Sequence, residues 1–261
     1  MILDAVLNPI FGPLLGLPPF WTVVIISFII ALIMIVIYKY TTNQVVMKEL
    51  KGQLKGYQKQ LKEHRTDPSK MKEINKKMME VNVKFFKHSM KSMFITWIPI
   101  IIIFGWMNAH LGYYPILPGQ EFSTTVVFEE GIEGEVELVT PLGIELLSDK
   151  VQEIEEREVK WKLQGITGEH ILEYRFEEEK VLKEVLITEE RAYKNPIKTK
   201  KGFLSFGGDN IPDESKMVQI SLSNERVYPL RLGSLKLSWF WTYFIFTFVF
   251  NMILRKVMKV Y

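Results

Sequence analysis

MKEINKKMMEVNVKFFKHSMKSMFITWIP, residues Met71–Pro99, is rich in lysine and methionine as far as Lys91 and then runs into apolar sequence with no glycine or proline between. Met71, Ile74, Met78, Val81, Phe85 and His88 are spaced 3, 4, 3, 4, 3, a heptad seam. Upstream, Met47, Leu50, Leu54, Tyr57 and Leu61 repeat the spacing 3, 4, 3, 4. The two seams are separated by EHRTDPSK, in which Asp67 suits a helix N-cap and Pro68 the first helical position. The pattern predicts two helical arms folded back as an antiparallel coiled coil, each arm continuous with an apolar helix. Gly52 and Gly56 weaken the first arm by about 1 kcal/mol each relative to Ala, which predicts a mobile arm.

Outward from this hairpin, charge is segregated. The chain has 261 residues, 24% of them charged, with a net charge of +3. Yet Asp, Glu, Lys and Arg are absent between Asp4 and Lys39, between Lys91 and Glu121, and between Lys236 and Arg255. A helix rises about 1.5 Å per residue, so roughly 20 apolar residues cross a hydrocarbon core of about 30 Å. Three transmembrane helices are predicted, near Phe20–Tyr38, Ser92–Leu111 and Leu237–Leu254; a soluble core helix would keep a polar stripe. No basic residue precedes the first run and no small-residue cleavage site follows it, so it reads as a span and not as a cleaved signal.

The residues from Lys39 to Lys91 include 14 Lys/Arg against 5 Asp/Glu, whereas Gly112–Lys236 has 16 against 24. Short Lys/Arg-rich loops stay cytoplasmic, which puts the N-terminus outside, the hairpin and C-terminus in the cytoplasm, and the acidic segment outside a plasma membrane. Trp21, Trp106, Tyr113, Tyr114, Trp239 and Trp241 fall at the expected outer ends, as an aromatic belt would. The chain divides into residues 1–38 (stub and first span), 39–91 (hairpin), 92–118 (second span), 119–235 (outer domain) and 236–261 (third span and basic tail).

Ser89, Ser92 and Thr96 share one helix face, as do Thr247 and Asn251. Together they are the candidate groove: a polar notch in the cytoplasmic half of the spans. Interhelical hydrogen bonds or bonds to the local backbone are the alternative use of these groups. Pro99 should loosen the second span, and Gly105 with Ala109 would permit close helix approach. Met78, Met79, Met90 and Met93 are candidate contacts for varied apolar segments, with Met78 also fitting the seam's core. Lys55, Lys59, Lys62, Arg65, Lys70, Lys72, Lys76 and Lys77 are candidate contacts for ribosomal RNA or lipid phosphates.

The absence of cysteine excludes disulfides and thiolate chemistry. His64, His88, His110 and His170 have no metal-ligand spacing, and no catalytic motif is present, so neither enzyme, metal nor cofactor is expected. No charge sits at a span centre, against a pump or proton relay.

The stretches WIPIIIIFGWMNAHLGYYPILPG (Trp97–Gly119) and WFWTYFIFTFVFNMILRKVMK (Trp239–Lys259), with the basic hairpin between the first two spans, resemble the archaeal YidC-like proteins of the YidC/Oxa/Alb insertase superfamily. The resemblance covers residues 1 to about 118 and about 236 to 261. It implies a membrane-protein insertase whose groove, lined by Ser89, Ser92, Thr96, Thr247 and Asn251, accepts the polar flank of a nascent transmembrane segment. Its implied partners are nascent membrane proteins, the ribosome or a targeting factor, lipids, and other insertase subunits. Bacterial relatives carry a groove arginine in their first conserved span, whereas this first span offers only Thr22 and Ser27. A groove acting without a fixed positive charge is therefore expected. A membrane-anchored scaffold or receptor, and a transporter subunit, are the alternative functions.

Glu121–Arg231 shows short alternating runs: FSTTVVF, GEVELVT, VKWKL, HILEYRF, VLKEVLIT and MVQISLS, parted by turns such as PLG and FGGDN. A β-sandwich, immunoglobulin-like in style, is predicted. Glu129, Glu130, Glu133, Glu135 and Glu137 read as a solvated face, with a Ca²⁺ site as the alternative.

Overall fold

The structure is a computed structural model describing residues 2–200 and 210–260. It divides into two compact units, one of residues 1–106 with 228–261 and one of residues 107–227. The first unit begins with α1 (Ile2–Phe11), a helix within the N-terminal stub, for which the sequence pattern predicts no element. The helices α2 (Pro19–Thr41), α4 (Pro68–Leu111) and α5 (Trp239–Val257) are long and apolar enough to cross a membrane.

Between α2 and α3 (Gln44–Glu63) the chain breaks at Thr42–Asn43. Asn43 Oδ1 accepts from the N–H groups of Val45 and Val46, at 3.1 and 3.2 Å, capping α3. The first arm is thus not continuous with its span, because the cap starts a new helix. The second arm is continuous: α4 is one helix of 44 residues, about 66 Å long, which runs through Pro99 without a break. Asp67 Oδ1 caps it, accepting from Ser69 and Lys70 N–H at 3.1 Å each, with Pro68 at its first position.

The hairpin's protected side chains fall on the two seams. Met47, Leu50, Ile74 and Val81 are buried, and Leu54, Tyr57, Leu61, Met71, Met78 and Phe85 half-buried. His88 departs from its expected place and is exposed. At 3.6 residues per turn, Ser89 and not His88 continues the face beyond Phe85. Gly52 and Gly56 are exposed, and a Cβ added at either meets open space. Gly52→Ala and Gly56→Ala are each expected to stabilise α3 by about 1 kcal/mol. Slower amide exchange confined to α3 checks this.

Trp106 departs from the aromatic belt. It is 1% exposed, donates from Nε1 to Asn8 Oδ1 at 2.7 Å, and packs against Phe11 at 5.4 Å. The belt pattern is blind to α1, which covers this indole. Trp21 and Trp241 do stay exposed. Gly105 is also exposed, not pressed into a helix contact.

The second unit is a β-sandwich with every strand pair antiparallel. One sheet has the order β3-β5-β1-β9-β8, from β3 (Ile144–Leu146), β5 (Glu158–Gly165), β1 (Phe122–Phe128), β9 (Met217–Leu222) and β8 (Ile197–Thr199). The other has the order β4-β2-β6-β7, from β4 (Val151–Glu153), β2 (Glu135–Val139), β6 (Gly168–Phe176) and β7 (Glu179–Ile187). Strict alternation along β1, β5 and β6 puts Val126, Trp161 and Tyr174 into one core. The buried Tyr174 hydroxyl bonds Thr124 Oγ1 at 2.6 Å, and burial pushes its pKa well above the ordinary tyrosine value. The last turn of α4 belongs to this unit, where the Tyr193 hydroxyl donates to Asn108 O and accepts from Gly112 N–H. A short hairpin, β10 (Leu230–Leu232) with β11 (Leu235–Leu237), belongs to the first unit. Of the FGGDN turn, Phe206–Asp209 lie outside the described residues.

Glu129, Glu130, Glu133 and Glu135 are exposed. Glu137 is half-buried between Lys150 at 2.6 Å and Arg175 at 3.4 Å, and the Lys150 hydrogen bond holds its carboxyl below the ordinary value. Among the described residues no three metal-ligating side chains converge.

Candidate functional site

Ser89, Ser92 and Thr96 extend the seam of α4 by one face, at spacings 4, 3 and 4 from Phe85. Where that face passes α2 and α5, the helices enclose a cavity of about 290 Å³. It is lined by Phe85, Ser89, Ser92, Met93 and Thr96 from α4, by Met34, Ile35 and Tyr38 from α2, and by Asn251 and Arg255 from α5. Four of the five candidate groove residues are thereby brought together. Thr247 is not: it is buried one turn from Asn251, with no hydrogen-bond partner for Oγ1 among the described residues.

The cavity sits at the basic end of the helices. Along the spans, rings join them. Phe104 meets Tyr243 at 4.8 Å and Trp239 at 5.8 Å, while Phe20 meets Phe246 at 5.6 Å and Phe28 meets Phe250 at 5.4 Å. Such pairs contribute about 0.5–1.5 kcal/mol each beyond their buried area. These ring pairs hold α5 against α4 and α2.

Ser89, Thr96 and Asn251 each spend a hydrogen on their own helix. Ser89 Oγ donates to Phe85 O at 3.0 Å, Thr96 Oγ1 to Ser92 O at 2.9 Å, and Asn251 Nδ2 to Thr247 O at 3.3 Å. The alternative of backbone bonding thus holds, and it does not close the cavity. A hydroxyl that has donated keeps acceptor capacity, and Asn251 keeps its Oδ1 and a second N–H.

Arg255 overturns the expectation of a groove without fixed charge. By sequence it belongs to the basic tail, because it follows the apolar run. But α5 continues to Val257, so Arg255 stands one turn from Asn251 on the same face. Its guanidinium lies over the Tyr38 ring, 4.9 Å from the centroid.

A second feature of α4 was only partly anticipated. Met79, Val83, Phe86, Met90, Phe94, Trp97 and Ile101 follow one another at spacings 4, 3, 4, 4, 3, 4. All but the half-buried Met90 are exposed, Met79 by 68% and Trp97 by 59%. They form an apolar stripe from the basic arm into the span. Met93, 38% exposed, lies between stripe and cavity and lines the latter. Methionine placement gave a hint of this stripe, and counting Val, Phe and Trp at helical spacing would have traced it. Met78 lies on the half-buried seam side.

All eight candidate phosphate-contact cations are exposed. Lys59, Lys70 and Lys77 pair with Glu63, Asp67 and Glu73 on their own helices, at 3.8, 3.8 and 2.6 Å. The Lys77 ammonium holds the Glu73 carboxyl below its ordinary value. Lys55, Lys62, Arg65, Lys72 and Lys76 have no acidic partner among the described residues and project unneutralised charge.

No curated protein and no solved structure matches the chain. One family model does, described as integral membrane protein EMC3/TMCO1-like, over residues 4–134. That match takes in α1, α2, the hairpin and α4, and stops before most of the β-sandwich and α5. Spanning half of the chain, it makes the protein a member of the EMC3/TMCO1-like family of integral membrane proteins.

Proposed function

We propose that the protein is a membrane-protein insertase, open to the side on which the basic hairpin lies. Its family is linked to membrane-protein insertion, in the context of the Oxa1/YidC/Alb3 superfamily. The observation that carries the reading is the cavity in which Ser89, Ser92, Thr96, Asn251 and Arg255 meet, at the basic end of three apolar helices.

Moving an apolar segment from water into lipid is downhill and needs no energy source. The barrier lies in the polar flank, whose peptide and charged groups lose water when they enter hydrocarbon. A cavity with room for several waters, hydroxyl and amide acceptors, and one guanidinium shortens the dry part of that path. The apolar stripe beside it gives the rest of the client a surface continuous from arm to span. Capture and release then occur along a single helix, which accounts for a lysine- and methionine-rich arm fused to a span.

In this reading the hairpin and C-terminus are cytoplasmic, as the Lys/Arg distribution favours, and the sandwich lies across the membrane. The two arms pair as an antiparallel coiled coil, and Lys55, Lys62, Arg65, Lys72 and Lys76 face ribosomal RNA or anionic lipid. A closer kinship with archaeal YidC-like proteins rests on this topology and hairpin.

Photocrosslinking probes at Met79, Met93 and Asn251 are expected to trap ribosome-bound nascent chains that bear an apolar segment, and to miss equally long polar chains. Equal yields for the two, or none for either, would remove this reading in favour of an anchored receptor or a transporter subunit.

A further inference from the structure

The two ends of the β-sandwich differ in chemistry. Registers Phe122↔Leu163, Ile144↔Gly165 and Gly168↔Ile187 put the start of β1, the start of β3, the β5–β6 turn and the end of β7 at one end. The chain reaches this end from the last turn of α4. Three loops there are free of Asp, Glu, Lys and Arg: residues 112–120, 140–143 and 164–168. The loops of the opposite end hold Glu129, Glu130 and Glu133, then Glu155 and Glu156, then Glu177 and Glu178, in segments joining β1–β2, β4–β5 and β6–β7.

Each uncharged loop presents one large apolar side chain to solvent: Leu117 at 47% exposure, Leu142 at 98% and Ile166 at 65%. They are neighbours, because backbone bonds lace the loops together. Gly119 N–H donates to Gly165 O at 2.9 Å, and Ile166 N–H to Gly143 O at 3.0 Å. Gly143 and Gly119 have φ of +92° and +73°, where an L side chain is strained, and a Cβ at Gly165 would meet Ile144 and Ile187 at 2.5 and 2.6 Å. The loops therefore hold these tips in a fixed array, with Ile166 and Glu145 among the residues that line a concavity of about 880 Å³. Leu117 is six residues past the end of α4, within about 20 Å of it even for an extended chain.

We propose that this end of the sandwich rests in the interfacial layer of the bilayer that α4 and α5 enter, with Leu142 and Ile166 inserted among lipids. The occupant is lipid, for two reasons. The chain runs from the apolar helix straight into this face, and the three loops that carry Leu117, Leu142 and Ile166 hold no charged residue. The charged residues of the same end, Glu189, Glu190, Arg191 and Lys194 in the β7–β8 loop and Glu225 and Arg226 after β9, keep their heads in the hydrated layer. Docking tilts the acidic end into water. The inference does not depend on the insertase reading, only on α4 and α5 spanning a membrane.

The chain lacks cysteine, so single spin labels follow from Leu142→Cys, Ile166→Cys and, as control, Glu178→Cys. The full chain is reconstituted in liposomes, and collisions with oxygen and with a water-soluble nickel chelate are measured. Labels at 142 and 166 are expected to collide several-fold less with nickel and several-fold more with oxygen than the label at 178. Nickel collisions equal to those at 178 would overturn the proposal. So would low collision rates with both reagents, which would mean that protein, not lipid, covers the face.

Discussion

Met79→Asp combined with Phe86→Asp is expected to lower capture of an apolar nascent segment by more than about tenfold, with the protein still folded in the membrane. Full burial of a Met or Phe side chain is worth about 1.5–3 kcal/mol, and tenfold in affinity needs only about 1.4 kcal/mol. A client helix lying on the stripe covers each side chain incompletely. Two residues together still exceed that threshold, and the carboxylates add a desolvation cost. Both residues are more than half exposed, 68% and 55%, so the folded chain loses little contact. The helix itself is weakened by no more than about 0.7 kcal/mol per substitution. Lys84→Gln with Lys91→Gln is the matched control, because it makes α4 more negative by the same two charges at exposed positions well around the helix from the stripe. Crosslinking yield to ribosome-bound chains is the readout. If the control pair lowers the yield equally, the loss comes from added negative charge near the lysines and the stripe is not a client surface.

The membrane helices were legible because charge-free runs are long signals that tolerate errors of a few residues at each end. The six longer strands were legible because alternation repeats at least twice in each. The strands that escaped, β3, β4, β8, β10 and β11, have three residues each and lie at sheet edges. Three residues cannot display a period, and an edge strand is defined by its neighbour more than by its own pattern. The helix α1 escaped for a related reason: it is ten residues with Pro9 inside, stabilised by Trp106, 98 positions away in the chain. In the candidate site, the polar face of α4 followed from spacing alone. The parts that needed coordinates were those fixed by where a helix ends. Arg255 counts as tail or as cavity wall according to whether α5 stops before or after it, and propensity leaves such ends uncertain by one or two residues.

Arg255 carries the second large effect, and it separates a charge role from a packing role. Arg255→Glu is expected to lower insertion of clients with an acidic flank by more than about tenfold, and to spare or favour clients with a basic flank. Two unit charges 4 Å apart interact by about 4 kcal/mol at the effective dielectric near a protein surface. Water in the cavity reduces that figure, but reversal changes the sign of the interaction, so a difference of about 1.4 kcal/mol between client types is conservative. Arg255→Lys keeps the charge and loses the planar stack over Tyr38, so a smaller loss with the same client preference is expected. Insertion into proteoliposomes of paired clients, identical apart from the sign of the translocated flank, measures the preference directly. A structural role predicts something else: Arg255→Glu would then reduce both clients equally, through loss of the α2–α5 contact at Tyr38. Equal reduction would remove the guanidinium from the proposed groove and leave the cavity's hydroxyls and amide as its only hydrophilic groups.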